Sequence, residues 1–255
     1  MLNRFKYMRK SGRLSIVLLV GSLVSFFLYN FFVAIGEWGD YPEKIWLHRC
    51  NSMEKLFEKE KRYPNVEVDV VFRSDHTFDV THDVDTSFHL SIASYFEYLQ
   101  KEDGKIWLDI KNLIHSNKEV MLATLDSLVN RYKISKDRLV IESPSWQSLD
   151  IFTRNGYYTS MYVSYPKPNQ MDEEEVYQCI EQLQEIVDQK TVRALSFPGW
   201  WYDDIKEKLD RPIDLLTWKH RTTQLQLLLS PDGREMLDDS QLKVILVKDK
   251  GHYHR

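Results

Sequence analysis

From residue 41 onward, short apolar runs alternate with longer amphipathic segments along the chain. The apolar runs predict eight strands, at residues 44–47, 66–72, 105–110, 139–141, 158–163, 193–197, 213–218 and 242–247. The amphipathic segments predict helices at residues 52–61, 92–100, 118–132, 146–154, 173–189, 201–209 and 222–229. Strands that alternate with helices form parallel sheets, and eight of them are typical of a closed barrel. The pattern therefore predicts an α/β fold, a (β/α)8 TIM-type barrel, with residues 80–88 as a loop or an excursion from it.

An uncharged apolar run at residues 14–35 precedes this pattern and follows a basic segment, residues 1–13. As a helix the run would span about 33 Å, which matches a hydrocarbon core of about 30 Å. Because it is apolar on all sides and basic on one flank only, we predict a transmembrane signal anchor instead of a buried core helix. The single-pass chain would have a cytoplasmic N-terminus and an extracytoplasmic barrel, residues 36–255. A signal peptide cleaved near Ala34 is the alternative, although the run exceeds the usual length of about 7 to 15 residues.

Composition narrows the classes of partner. The chain has 255 residues, of which 43% are hydrophobic and 28% charged. This composition indicates a globular protein with one domain after the anchor. Its 34 basic and 38 acidic residues are mixed along the sequence, so it lacks the basic stripe of nucleic-acid-binding proteins. Cys50 and Cys179 lie too far apart in sequence to suggest a disulfide framework or a zinc cluster, and we interpret both as buried apolar residues. The pattern predicts no particular oligomeric state.

Polar residues occur at the ends of the first three predicted strands, where the strand-to-helix loops of such a barrel converge. The first strand ends in His48 and Arg49, and the third ends in Asp109 followed by Lys111. The second strand carries Glu67 and Asp69, two positions apart. Residues i and i+2 of a strand point to the same side, so the carboxylates should face the barrel interior together. Buried carboxylates need a positive partner, and all-oxygen ligands favour Mg²⁺ or Ca²⁺ over zinc. The alternative is that Glu67 or Asp69 forms a surface salt bridge.

A second histidine, His82, precedes Asp83 between the second and third strands. Two histidines near a metal ion and two cations fit a phosphate diester, a small molecule or a phospholipid headgroup. The cations and the metal would bind the phosphate oxygens, while one imidazole acts as a base and the other as an acid.

Three segments of the chain resemble the motifs of a known protein family. Residues 46–49 (WLHR), 66–70 (VEVDV) and 81–83 (THD) resemble, in order and spacing, the His-Arg, Glu-x-Asp and His-Asp motifs of the glycerophosphodiester phosphodiesterases, within the PLC-like phosphodiesterase superfamily. Residues 107–111 (WLDIK) resemble that family's third-strand acidic-x-Lys motif, and residues 215–218 (LLTW) are similar to its late strand containing Trp218. The resemblance implies an acid/base pair (His48, His82), metal ligands (Glu67, Asp69, Asp109) and phosphate contacts (Arg49, Lys111).

The chain also departs from that family. Cys50 stands where a Gly normally follows His-Arg, a Pro-Glu-Asn-Thr-like segment is missing, and Asp109 replaces the common Glu. The spacings His48-x-x-Asn51 and Asp109-x-Lys111 are instead similar to the sphingomyelinase D and menorin-type branches of the same superfamily. This resemblance implies that a neighbouring substrate hydroxyl attacks phosphorus and gives a cyclic phosphate before or instead of hydrolysis. Asn51 and Trp218, together with Glu142 after the fourth strand, are further candidates for the pocket.

These features predict a membrane-anchored, metal-dependent phosphoric diester hydrolase that cleaves a glycerophosphodiester or a phospholipid headgroup. One alternative is a lyase that stops at the cyclic phosphate. The other is a binding or scaffold barrel without turnover, for which Cys50 and the missing segment are the motivating observations.

Overall fold

The computed structural model describes residues 2–36, 39–219 and 222–249. The strands are β1 (Ile45–Leu47), β2 (Val66–Phe72), β3 (Phe78–Val80), β4 (Ile106–Ile110), β5 (Leu139–Ser143), β6 (Tyr158–Tyr162), β7 (Ala194–Pro198), β8 (Asp214–Trp218) and β9 (Leu242–Val247). The helices are α1 (Leu2–Gly36), α2 (Met53–Lys59), α3 (Ile92–Leu99), α4 (Lys118–Tyr132), α5 (Trp146–Arg154), α6 (Glu173–Gln189), α7 (Tyr202–Lys208), α8 (Gln224–Leu229) and α9 (Pro231–Asp238).

Eight of these strands form a closed parallel barrel within the described residues. Their order is β1-β9-β8-β7-β6-β5-β4-β2, and β1 pairs in parallel with β2 to close the ring. The remaining strand, β3, pairs antiparallel with β2 and extends from the barrel as a hairpin. The predicted α/β barrel is therefore confirmed, and the hairpin is an excursion at residues 78–80, slightly earlier than the sequence suggested.

The barrel has two apolar layers because side chains alternate along each strand. On β4, the side chain of Trp107 points into the barrel interior, whereas that of Leu108 points outward and packs against the helices. The other strands alternate in the same way. The interior cluster consists of Trp46, Trp107, Val140, Ala194, Leu216, Val244 and Leu246. Truncating a buried Trp to Ala costs about 3 to 5 kcal/mol, so Trp107 is a main element of the barrel's stability.

The described side chains of the N-terminal helix α1 are not part of this core, although the helix contacts α8. Its segment Ser15–Val33 has a mean hydropathy of 2.3, and none of it is buried against the rest of the chain. By length and composition this helix is able to cross a membrane, and a signal sequence has the same character. The side chains of the predicted basic segment, residues 1–13, lie outside the part that the structure describes.

Candidate active site

A cavity of about 270 Å³ opens at the carboxyl ends of the barrel strands, which we call the mouth. It is lined by His48, Arg49, Glu67, Asp69, His82, Asp109, Lys111, Glu142, Pro144, Tyr162, Trp218, Leu246 and Lys248. Nine of the ten candidate residues from the sequence are in this set. The tenth, Asn51, lies behind the lining, where its amide donates to Asp69 Oδ2 at 2.7 Å and its Oδ1 accepts from the Asp69 N–H at 3.0 Å.

Three carboxylates form a compact cluster in the cavity. Glu67, Asp69 and Asp109 each offer an oxygen within 4.8 Å of the others, and Asp69 and Asp109 are paired in register across β2 and β4. Lys111 reaches between the two aspartates, with Nζ at 2.6 Å from Asp69 Oδ1 and also bonded to Asp109 Oδ2. The cluster therefore contains three acids and a single lysine in direct contact with two of them.

The electrostatics of the cluster favour additional positive charge. Burial raises the pKa of Glu67 well above its usual value, and the neighbouring Asp69 and Asp109 raise it further. Burial also raises the pKa of Asp109. For Asp69 burial acts in the same direction, but Lys111 and the Asn51 amide outweigh it and hold its pKa below the usual value. Because the acids repel one another in a desolvated site, an all-oxygen set of this kind suits a hard divalent cation.

The chain turns sharply after β1, and this turn orients the first histidine. The His48 N–H donates to Val247 O at 2.9 Å, which continues the pairing with β9. Arg49 adopts a left-handed conformation with φ 52°, and its N–H donates to Glu67 Oε2 at 2.6 Å. The side chain of His48 is 16% exposed, and its Nε2 lies 3.7 Å from the same carboxylate oxygen. Burial lowers the pKa of His48 to about 3, so its imidazole is neutral near pH 7.

The second histidine lies on the loop that follows the hairpin. The Thr81 N–H donates to Asp69 O at 3.1 Å, which fixes the start of this loop beside the carboxylates. His82 Nε2 lies 2.8 Å from an Arg49 guanidinium nitrogen, and its Nδ1 lies 2.8 Å from Asp83 Oδ1. A guanidinium only donates, so Nε2 accepts and the Nδ1–H donates to Asp83. Asp83 thus selects the tautomer of His82.

The opposite wall of the cavity is aromatic. Tyr162 and Trp218 stack with their ring centroids 5.1 Å apart and their planes inclined by 17°. Below them Glu142 is buried and accepts from Trp107 Nε1 at 2.8 Å and from the Ser196 hydroxyl. Burial raises the pKa of Glu142 well above its usual value, and the charge of Asp109 adds to this effect. The cavity therefore has an ionic half and an aromatic half.

The sequence reasoning missed four lining residues, of which the last two carry polar groups: Pro144, Leu246, Tyr162 and Lys248. Tyr162 ends β6 and Lys248 follows β9, and both continue the inward-facing positions of their strands. The signal was the two-residue alternation itself, because Lys248 is two positions after the interior Leu246.

Cys50 is fully buried and Cys179 is 9% exposed, and both are free thiols. Their interpretation as buried apolar residues is therefore confirmed. The Cys50 carbonyl accepts from the Tyr95 hydroxyl at 2.5 Å, and its N–H donates to Glu67 O at 2.8 Å. Burial raises the pKa of the Cys50 thiol to about 12. The positive φ in this turn belongs to Arg49, so Cys50 does not occupy a conformation that would require Gly.

No protein-family model and no curated protein matches the chain. Solved structures do match it. A glycerophosphodiester phosphodiesterase from Parabacteroides distasonis superimposes with a TM-score of 0.55 at 15% identity, over 80% of this chain and 92% of that chain. A phosphodiesterase from Oleispira antarctica, in complex with the product sn-glycerol-3-phosphate, gives 0.55 at 13% identity, over 82% and 94% of the two chains.

A third match is the calcium-dependent phosphoinositol-specific phospholipase C from a Pseudomonas species, with a TM-score of 0.51 at 10% identity, over 83% of this chain and 91% of that chain. In all three cases nearly the whole of the solved chain corresponds to the barrel described above. The protein therefore has the fold of the glycerophosphodiester phosphodiesterases and of a PLC-like phospholipase C, the superfamily that its motifs resemble.

Proposed function

We propose that the protein is a phosphoric diester hydrolase that cleaves a glycerophosphodiester or a phospholipid headgroup. The observation that carries this proposal is the convergence of His48 and His82 with a buried carboxylate cluster and three cationic side chains on one cavity. The fold shared with three phosphodiester-cleaving enzymes supports it. A negatively charged diester would be a natural occupant, because the cavity supplies both donors for its oxygens and imidazoles for its protons.

The carboxylates of Glu67, Asp69 and Asp109 would hold one divalent cation, Mg²⁺ or Ca²⁺. The mutual distances of their oxygens and the raised pKa values of Glu67 and Asp109 fit such an ion. When bound, the ion would act as a Lewis acid toward a phosphate oxygen and neutralise charge that develops there. The calcium dependence of the Pseudomonas phospholipase supports the same expectation for this chain.

The side chains of the ionic half have distinct roles in this proposal. His48 Nε2 lies 3.7 Å from Glu67 Oε2, so the imidazole is placed to accept a proton from the attacking water or hydroxyl, and the carboxylate would stabilise the imidazolium that results. His82 is exposed and its Nδ1–H donates to Asp83, so that, once Nε2 has taken up a proton from solvent, the imidazolium is suited to deliver that proton to the leaving oxygen.

Arg49 lies between the candidate acid, His82, and the carboxylate cluster. Its guanidinium lies 2.8 Å from His82 Nε2 and 3.8 Å from Asp69 Oδ2, and its side chain is 42% exposed at the mouth. A phosphate oxygen would draw the guanidinium away from the imidazole, which would free Nε2 for its proton. Lys111 would bind a second phosphate oxygen while it continues to neutralise Asp69.

The test uses the full chain in detergent, with bis(p-nitrophenyl) phosphate and glycerophosphocholine as substrates, each with and without EDTA. We expect turnover that chelation abolishes and that His48→Ala and His82→Ala each lower by about 10³-fold, since a positioned acid or base contributes 10²- to 10⁴-fold. His115→Ala is the matched control, because His115 is exposed after β4 and contacts Lys118 only through a surface bond. Equal activity of all three variants would refute the proposal.

Phosphorus NMR of the products distinguishes the alternatives. A hydrolase gives a phosphate monoester, whereas a lyase gives a cyclic phosphate that persists. A folded chain that binds the metal ion but releases no product from any diester would be a binding barrel.

The apolar helix α1 would anchor the enzyme with its barrel on the extracytoplasmic side. From Tyr41 the chain is bound to the amino end of the barrel, the floor, where Asn65 donates to Pro42 O at 2.9 Å. Lys44 Nζ there donates to Leu237 O and Asp239 O, each at 2.6 Å. The segment between Gly36 and Tyr41 reaches at most about 18 Å. The mouth would therefore face away from the anchoring membrane, which favours a water-soluble diester.

Epitope tags test this orientation. A C-terminal tag should be accessible to antibody on intact cells, an N-terminal tag only after permeabilisation, and the chain should resist extraction by carbonate. The reverse staining, or release into the soluble fraction, would contradict the proposed topology.

A further inference from the structure

Lys55 is a buried lysine that contacts the backbone of the turn carrying His48 and Arg49, on the side away from the cavity. It lies in the first turn of α2, where the Ser52 hydroxyl accepts from its backbone N–H at 3.2 Å, and the residue is only 3% exposed. Its Nζ donates to His48 O at 3.0 Å and to Arg49 O at 2.8 Å. A buried ammonium needs partners for its charge, and here it is directed at two consecutive carbonyls of the turn that carries the candidate base and the phosphate contact.

This turn depends on side chains for its hydrogen bonds. The carbonyls of residues 48, 49 and 50 accept from Lys55, Lys55 and Tyr95, respectively. A left-handed Arg49 is unfavourable for a residue with a Cβ, and such a conformation persists where the surroundings determine it. The same conformation directs the Arg49 N–H to Glu67 Oε2. Lys55 therefore holds the carbonyl groups of residues 48 and 49, while the side chains of the same residues face the cavity.

We infer that Lys55 is a positioning residue, which fixes the backbone of His48 and Arg49 so that the imidazole and the guanidinium reach the cavity together. This inference rests on the proposed function, because it concerns the same site. Lys55 does not line the cavity and so acts only through other residues. Ser52 caps the helix that carries Lys55, which fixes the backbone of Lys55. From this fixed position its ammonium group bridges both carbonyls.

The experiment compares Lys55→Met, Lys55→Arg and Lys59→Met in the full chain in detergent. Met keeps the apolar stem without the donors, whereas Arg keeps donors that are able to reach two carbonyls. Lys59 is the matched control, since it lies one turn later on α2 and pairs with Glu58 and Asp249 instead of the turn. Hydrogen exchange of residues 48–51 reports the backbone directly, and kcat and KM for bis(p-nitrophenyl) phosphate report the chemistry.

We expect Lys55→Met to speed exchange in residues 48–51 by at least tenfold and to lower kcat by about 10²-fold, the loss typical of a group misplaced by about 1 Å. Binding of Mg²⁺, measured by calorimetry, should change far less, because the carboxylates lie on β2 and β4. Lys55→Arg should recover most of the activity, and Lys59→Met should match the wild type in both measurements. Should Lys55→Met not fold, Lys55→Gln, which keeps a neutral donor, replaces it.

Unchanged exchange in a folded variant without the Lys55 cation would overturn the inference, as would faster exchange with a normal kcat. Failure of Lys55→Arg to recover activity while Lys59→Met also loses it would reduce Lys55 to a general stabiliser of α2. A wild type without turnover would instead refute the proposed function, and the exchange measurement alone would then decide whether Lys55 fixes the turn.

Discussion

Replacing Lys111 by Met separates the stability of the carboxylate cluster from its affinity for a divalent ion. Lys111 Nζ contacts Asp69 and Asp109 and is 19% exposed, and the two carboxylates raise its pKa against the opposing effect of burial. Removing one partner of a buried ion pair costs about 3 to 5 kcal/mol. Partial exposure places Lys111→Met near the lower limit, about 3 kcal/mol in the metal-free chain.

For a barrel of this size a loss of about 3 kcal/mol lowers the melting temperature by about 6 to 12 °C. A saturating divalent ion should reduce that deficit to about 1 kcal/mol, because it neutralises the same carboxylates. The difference of about 2 kcal/mol must reappear as about 30-fold tighter ion binding by the variant, since the coupling is reciprocal. Catalysis should still fall, because Lys111 is one of the proposed phosphate contacts.

The assay is a thermal melt followed by circular dichroism, with EDTA or with a saturating ion, beside calorimetric titration of Mg²⁺ and Ca²⁺. Lys105→Met is the matched control. Its Nζ lies 2.6 Å from Glu43 Oε2, the same distance as in the buried pair, but this pair is exposed and should be worth at most about 1 kcal/mol with or without the ion. An equal deficit for Lys111→Met in both conditions, or weaker ion binding by it, would refute the assignment of the metal to this cluster.

Three further outcomes follow from the geometry. Cys50→Ala should keep the activity and lose about 1 kcal/mol of stability, and the wild-type thiol, with its pKa raised to about 12 by burial, should react with a thiol reagent only after unfolding. Trp218→Leu removes the ring that stacks on Tyr162 and should raise KM by up to about tenfold, more than it lowers kcat, as steady-state kinetics would show. Burial raises the pKa of Tyr63 to about 12, so its phenol stabilises the fold below about pH 10 and destabilises it as the pH rises toward 12. Tyr63→Phe should therefore unfold at a higher pH in an alkaline titration.

Hydrophobic periodicity was sufficient to predict the barrel because its strands and helices are local and repetitive. Every predicted strand and helix is present within two residues of its predicted ends. The strand β3 and the helix α9 are present as well but were not predicted. β3 has three residues and depends on its pairing with β2, and α9 begins with Pro231, contains Gly233 and buries only Met236 and Leu237 as large side chains. Neither element has enough local signal to stand apart from a loop.

The site divides in a similar way. The carboxylates lie within β2 and β4, and each histidine follows a strand, so two-residue alternation and motif spacing predicted that they share one cavity. Lys55 was not recognised, because only the folded α2 turns its side chain toward the carbonyls of residues 48 and 49. The bond between Arg49 and His82 likewise depends on the hairpin, which returns the chain to the end of β2.

Cys50 bears on the alternative of a barrel without turnover. A Gly after His-Arg suggests that the turn requires its conformational freedom, and losing it suggests a damaged site. Here the left-handed residue is Arg49, and the carbonyls around it accept from Lys55 and Tyr95. The Cys50 side chain packs into the core, away from the cavity, while its N–H still pairs with β2. Because Cys50 changes the packing behind the turn and leaves its cavity-facing groups in place, the substitution gives no reason to expect loss of catalysis.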